Sequence, residues 1–174
     1  FSSISAAWNI HKENFMNSIG FINELKLRAS FGRTGNQDIG SDFPISLYGG
    51  GAAFAYNGGG GLSFTNLGNP QLQWETNETI NFGLDFSLLK GRITATTDYF
   101  IRNTKNLLLP QVLPSNSGFA TIIENVGTLQ NRGLELGLST VNVDGAFKWT
   151  TDFNVTFIKN EVTKLLRDGE DLPN

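Results

Sequence analysis

The sequence contains no cysteine, which excludes a disulfide framework and thiolate metal sites while leaving several compartments open, the periplasm and outer membrane among them. Its one histidine, His11, lies in a polar stretch with no second imidazole; it is expected at the surface, not on a metal. Positive charge is scarce as well. The 13 Lys and Arg against 16 Asp and Glu give a formal net charge of -3, which argues against a nucleic-acid partner. No apolar run approaches the roughly 18 residues of a membrane-spanning helix, so a helical membrane protein is excluded. The glycine runs have no following Gly-Lys-Ser/Thr, so no phosphate cradle is read. No pair of acids is singled out as a glycosidase pair would be. No catalytic residue, metal site or cofactor is expected, and the chain is not read as an enzyme. It opens at Phe1 on strand-like alternation, without Met or the regions of a signal peptide, and is expected to be an internal piece of a longer chain.

What the sequence does have is two-residue periodicity. From Trp74 to Lys105 it reads WETNETINFGLDFSLLKGRITATTDYFIRNTK. Ile80, Phe82, Leu84, Phe86 and Leu88 fall on one face, while Asn81, Gly83, Asp85 and Ser87 take the other. Lys90-Gly91 reverses the chain, because glycine accepts the positive φ of a tight turn. The second arm repeats the pattern, with Ile93, Ala95, Thr97, Tyr99 and Ile101 against Thr94, Thr96, Asp98 and Arg102. Both arms far exceed the usual strand of about 5 or 6 residues.

The same alternation marks strands near residues 1–10, 24–34, 74–89, 91–106, 126–142 and 146–162, the last carrying Phe153 and Val155 on its apolar face. The link at 11–23 is polar enough to hold a helical turn. Residues 34–73 and 107–125 lose the period and are rich in Gly, Asn and Pro, as loops are. Short and long connections therefore alternate. Bacterial transmembrane barrels have this asymmetry, with short periplasmic turns, long extracellular loops, apolar residues toward lipid and polar ones toward the lumen. The nine residues from Ile80 to Leu88 span about 30 Å, or about 20 Å when tilted, close to the ~25 Å apolar band of such barrels. Lys26, Arg28, Asp85, Arg92, Asp98, Glu135, Lys148 and Asp152 then face the lumen, where mixed signs suit a polar wall better than a single-sign filter. A soluble or cell-surface β-sandwich binding module is the alternative, since alternation does not say whether lipid or a second sheet meets the apolar face.

Several segments carry a resemblance to a known family. SAAWNIHKENFM, LKLRASFGRTGNQDIG, the run from Gly68-Asn69-Pro70 to Trp74-Glu75, Asp98-Tyr99-Phe100, and Asn131-Arg132-Gly133-Leu134-Glu135 resemble the SusC/RagA-type TonB-dependent transporters of the Gram-negative outer membrane. The resemblance covers nearly all of the chain outside the glycine-rich loop. It implies an all-β fold: a six-stranded antiparallel segment from the later half of a transmembrane barrel of about 22 strands. It also implies a multi-pass outer-membrane location among lipids and import of large nutrients such as oligosaccharides or peptides. A SusD-like lipoprotein lid and the TonB complex are the implied partners. The plug and the TonB-binding segment have no counterpart in this sequence, so contact with TonB is expected through an N-terminal part of the full protein.

Under this reading Ile80, Phe82, Leu84, Phe86, Leu88, Phe153 and Val155 form the lipid-facing wall. The long loops line the mouth. Tyr48, Phe54, Tyr56 and Phe64, beside Asn36, Asp38, Asp42, Asn57 and Asn66, are then the expected contacts for substrate or lid, unless the aromatics only pack the loop upon itself.

Overall fold

Six long strands form one antiparallel sheet in the computed structural model, which describes residues 2–36 and 44–165. They are β1 (Ser2–Asn9), β2 (Ile22–Asn36), β5 (Glu75–Leu88), β6 (Ile93–Lys105), β9 (Thr128–Asp144) and β10 (Lys148–Lys164), paired in the order β1-β2-β5-β6-β9-β10. Each strand thus lies beside the long strand that follows it. The β1–β2 register sets Ile4 opposite Phe31, Ala6 opposite Ala29 and Trp8 opposite Leu27. The alternate positions pair Ser5 with Ser30, Ala7 with Arg28 and Asn9 with Lys26. One face is apolar and the other mostly polar, as a period of two requires.

The apolar face has no cover. Among the described residues only two hydrophobic side chains are buried, Ala95 at 8% exposure and Val126 at 5%, whereas Phe82 is 56% exposed. A β-sandwich hides such side chains against a second sheet. Here they stand open.

The short turns between long strands are held by hydrogen bonds. Leu89, Lys90 and Gly91 all adopt positive φ, at 55°, 58° and 83°, so the β5–β6 reversal takes in Leu89 as well as the expected Lys90-Gly91. It is tied to the neighbouring link, since Leu89 N–H donates to Phe21 O at 2.9 Å and Lys90 N–H to Asn23 Oδ1 at 2.5 Å. Arg92 also belongs to this turn: its guanidinium donates to Val141 O at 3.2 Å and Asn142 O at 2.8 Å. Between β1 and β2 the chain makes two 3-10 turns, Ile10–Lys12 and Asn14–Met16. His11 is half-buried there, accepting from Leu25 N–H at 3.3 Å.

The two long connections are not free of strand. The first contains the hairpin β3 (Leu47–Tyr56) and β4 (Gly59–Asn66), and the second contains β7 (Leu108–Val112) and β8 (Thr121–Asn125). Alternation misses β3 and β4 because their glycines have no side chain, and the alanines of β3 only a methyl, so little distinguishes one face from the other. A Cβ on Gly49 would stand 2.5 Å from Thr65 Cγ2 and 2.9 Å from the Phe54 ring, so neighbouring side chains already fill that space. Pro110 hides β7 for another reason. A proline lacks the N–H that a central strand needs, but an edge position tolerates it, and Pro110 pairs with Ile123 in a two-stranded ribbon.

The chain divides into two compact units: Phe1–Thr34, Asn77–Asn103 and Gln130–Glu161 form one, and Gly35–Thr76, Thr104–Leu129 and Val162–Asn174 the other.

Candidate functional site

Within the first unit, charge on the polar face is gathered by Arg28 of β2. Its Nε and Nη2 donate to the two carboxylate oxygens of Asp85 on β5, both at 2.8 Å, while Nη1 and Nη2 donate to Asp98 on β6, both at 3.0 Å. One guanidinium thereby bridges three adjacent strands, because its planar fork matches carboxylate geometry in pairs. Gly83 makes room for it. A Cβ there would lie 2.5 Å from Arg28 Cζ, so the guanidinium rests on bare backbone. A glycine inside a strand signals such a close approach. Further along, a Cβ on Gly137 would stand 2.8 Å from Thr96 Oγ1, and Ser139 Oγ donates to Asp152 Oδ1 at 2.5 Å. The polar face is a cross-linked wall in which opposite charges meet one another.

On the other face, Ala6, Trp8, Leu27, Phe82, Leu84 and Tyr99 help line a shallow groove of about 430 Å³. An adjoining groove of about 320 Å³ takes in Ile4, Phe31 and Ile80. The Trp8 indole donates to Glu13 Oε1 at 2.8 Å, which satisfies its polar end while the ring remains on the apolar side. Phe86 and Leu88 follow on β5 and are half-buried; on β10, Phe153 is exposed and Val155 half-buried.

In the second unit, two of the expected loop contacts meet. The Tyr48 and Phe64 ring centroids are 4.3 Å apart, and Phe64 stands edge-on to Phe119 at 5.9 Å. Phe64 therefore links the β3–β4 hairpin to the connection that carries β7 and β8. Tyr48 nevertheless stays 65% exposed and Phe64 47%. Phe54 turns inward against Gly49. Asn57, at φ 51°, takes the tight turn between β3 and β4. The Tyr56 side chain, Asp38 and Asp42 lie outside the described residues. Asn66 Nδ2 donates to Ile45 O at 3.4 Å, and Asn36 Nδ2 to Glu75 Oε2 at 3.1 Å, so both hold backbone or neighbouring elements in place.

Sequence reading gave no role to the residues that tie the feet of the two long connections. Glu75 receives Leu108 N–H on Oε1 at 3.1 Å as well as Asn36 on Oε2. Asn125 Oδ1 accepts from Gln73 N–H at 2.7 Å, while its Nδ2 donates to Gln73 O at 2.7 Å and Asn106 O at 3.0 Å. Asn69 Nδ2 donates to Ile123 O at 3.0 Å. These asparagines replace the backbone partners that an irregular segment lacks. Asn69 and Glu75 belong to the Gly68–Glu75 run that carries the resemblance, which was the one available signal for them. Asn125→Asp should destabilise the region by about 1–2 kcal/mol, because a carboxylate cannot donate to the Gln73 and Asn106 carbonyls. Faster proteolytic cleavage between residues 107 and 125 in the full-length protein is the measurement, and an unchanged rate would remove this role.

A single antiparallel sheet, apolar and uncovered on one face and polar and cross-linked on the other, defines the chain as a segment of β-barrel wall. It belongs to the TonB dependent receptor-like β-barrel family, which matches it over residues 1–174. TonB-dependent receptor P39 of Formosa agariphila is 42% identical over 166 residues, covering 95% of this chain and 16% of its own length. TonB-dependent receptor SusC of Bacteroides thetaiotaomicron is 36% identical over 172 residues, covering 95% of this chain and 17% of its own. Among solved structures, the RagAB peptide importer matches in its closed-closed state with a TM-score of 0.85 at 29% identity, and in its open-open state with 0.84 at 30%. Each covers 99% of this chain and 19% of the solved one. The chain thus spans less than a fifth of the length of these relatives.

Proposed function

We propose that this chain is part of the wall of an outer-membrane transporter that imports large nutrients, oligosaccharides or peptides, with energy from the TonB complex. The observation that carries this reading is the open apolar face of a family-matched barrel sheet. Among the described residues, large apolar side chains such as Ile4, Phe82 and Phe153 stand exposed on one face, and hydrocarbon is the solvent that favours them. Ile80, Phe82, Leu84, Phe86, Leu88, Phe153 and Val155 are assigned to lipid. Trp8 and Trp149, both about half exposed, suit an aromatic girdle at the short-turn end. The outer strands β1 and β10 pair with further strands of the full-length barrel, because hydrocarbon does not tolerate open edges. TonB is engaged through an N-terminal part of that protein. The role is transport and not catalysis.

In this reading the connections 34–73 and 107–125 face the cell exterior and line the mouth, beneath a SusD-like lipoprotein lid. The exposed part of the Tyr48-Phe64 pair is available to substrate or lid, while Phe119 and Phe54 stiffen the loops. Deleting residues 49–61 from the full-length protein removes the hairpin tip and little of the wall. Barrel assembly should persist, measured by heat-modifiable electrophoretic mobility, and nutrient uptake or lid capture should fall. Accessible labels at Lys90 on intact cells, with the 49–61 tip inaccessible, would invert the topology and remove this role.

A further inference from the structure

Toward the long connections, the apolar face of the first unit stops at one level. On that face the residue after Phe31 of β2 is Arg33, and before Ile80 of β5 it is Glu78. Asn103 follows Ile101 on β6, Arg132 precedes Leu134 on β9, and Lys159 follows Phe157 on β10. Contacts between strands show the shared level. Arg33 Nε lies 3.7 Å from Glu78 Oε1, Gln130 Nε2 donates to Asn103 Oδ1 at 2.9 Å, and Arg132 and Lys159 reach Glu161 at 3.9 and 2.8 Å. Three cations, Arg33, Arg132 and Lys159, thus stand against two carboxylates, Glu78 and Glu161, on this rim, although the whole chain has a net charge of -3. At the short-turn end the same face closes on Trp8 and Trp149 instead.

Arg33 heads the two grooves of the apolar face. Ala6 and Ala29 lie opposite each other and belong to both grooves, while Ser2 lies opposite Arg33 two positions beyond the Ile4-Phe31 pair. The Arg33 side chain is 54% exposed, and apart from its ion pair with Glu78 it makes no hydrogen bond among the described residues. From this juxtaposition we infer that the groove over β1, β2 and β5 holds an acyl chain of an anionic lipid whose phosphate sits on Arg33, an assignment that rests on the transporter reading. Small side chains leave a depression there, and a chain laid in it restores the dispersion contacts of the lining atoms. From Ser2 to Trp8 the strand climbs six residues, about 20 Å, which accommodates an extended acyl chain below a headgroup at the rim. Glu78 approaches Arg33 on the Nε side. A guanidinium donates to phosphate oxygens in pairs, and the Ser2 hydroxyl stands at the same level as a further donor. In the topology proposed above this rim meets the outer leaflet, so the occupant is a phosphorylated, acylated saccharide of that leaflet.

The test is native mass spectrometry of the purified full-length protein in detergent, titrated with monophosphoryl lipid A and with the same lipid after removal of its phosphate. The phosphorylated lipid should bind the unchanged protein and bind Arg33→Gln about fivefold more weakly, the loss expected from one cation at a membrane surface. The dephosphorylated lipid should bind the unchanged protein about fivefold more weakly than its parent, with no further change in Arg33→Gln. Ala29→Phe fills the groove and should weaken both lipids, whereas excess inorganic phosphate should leave the bound lipid in place. Equal binding of the two lipids, an unaltered affinity in Arg33→Gln or in Ala29→Phe, or displacement by inorganic phosphate overturns the assignment. Should Arg33→Gln not fold, the two lipids compared on the unchanged protein and on Ala29→Phe decide it. Membrane insertion of the unchanged protein, read from heat-modifiable mobility in outer-membrane fractions, tests the transporter reading separately. An inserted protein that gives any of the contrary titrations loses the lipid site alone.

Discussion

Replacing Arg28 with methionine in the full-length protein should lower its stability by about 2–4 kcal/mol, because charge-assisted hydrogen bonds are lost and two carboxylates are left facing each other without a cation. The geometry at stake is four contacts of 2.8 to 3.0 Å across β2, β5 and β6. The Arg28 side chain is 33% exposed, so water recovers part of the loss, and the figure stays below that of a fully buried triad. Unfolding by urea in detergent is the measurement. Gly83 supplies the sharper form of the test. Gly83→Ala puts a methyl where Arg28 Cζ stands, at 2.5 Å, and should destabilise the protein that retains Arg28. In an Arg28→Ala background the same change should be nearly neutral, which gives a coupling energy of more than about 1 kcal/mol in a double-mutant cycle. Additive effects of the two substitutions would mean that Gly83 is not the seat of the guanidinium.

Charge placed on the apolar face should be rejected as strongly. Phe82→Arg or Leu84→Lys sets a cation among the side chains of the groove between β1 and β6, at an expected cost of about 2–4 kcal/mol near the bilayer midplane. Asn81→Lys is one residue away and should cost far less. A step of one residue in a strand carries the side chain to the opposite, polar face, beside Gly83 and Asp85. The yield of heat-modifiable barrel in the outer-membrane fraction distinguishes the three variants. Equal losses from all of them would contradict the assigned faces, and equal tolerance would mean that the apolar face meets water and not lipid.

Strand periodicity was enough to place the long strands and to separate their two faces. Alternation in β2, β5, β6, β9 and β10 depends only on the period of an extended chain, so the residues that share a face were countable before any contact was known. Likewise, Lys90-Gly91 marked a reversal through local backbone preference alone. The family could also be read, because runs such as Gly68–Glu75 and Asn131–Glu135 stand contiguous in the chain. What joins distant residues could not be read in this way. Arg28 is 57 positions from Asp85 and 70 from Asp98, and only the β2-β5-β6 strand order decides that one guanidinium serves both. The same holds for Asn125 with Gln73, 52 positions apart, and for Phe64 with Phe119. The hairpins within the long connections were hidden because pairing there rests on backbone bonds and on glycines admitted by neighbouring side chains. A hydrogen bond between segments far apart in sequence leaves no period behind, and the tertiary structure alone supplies it.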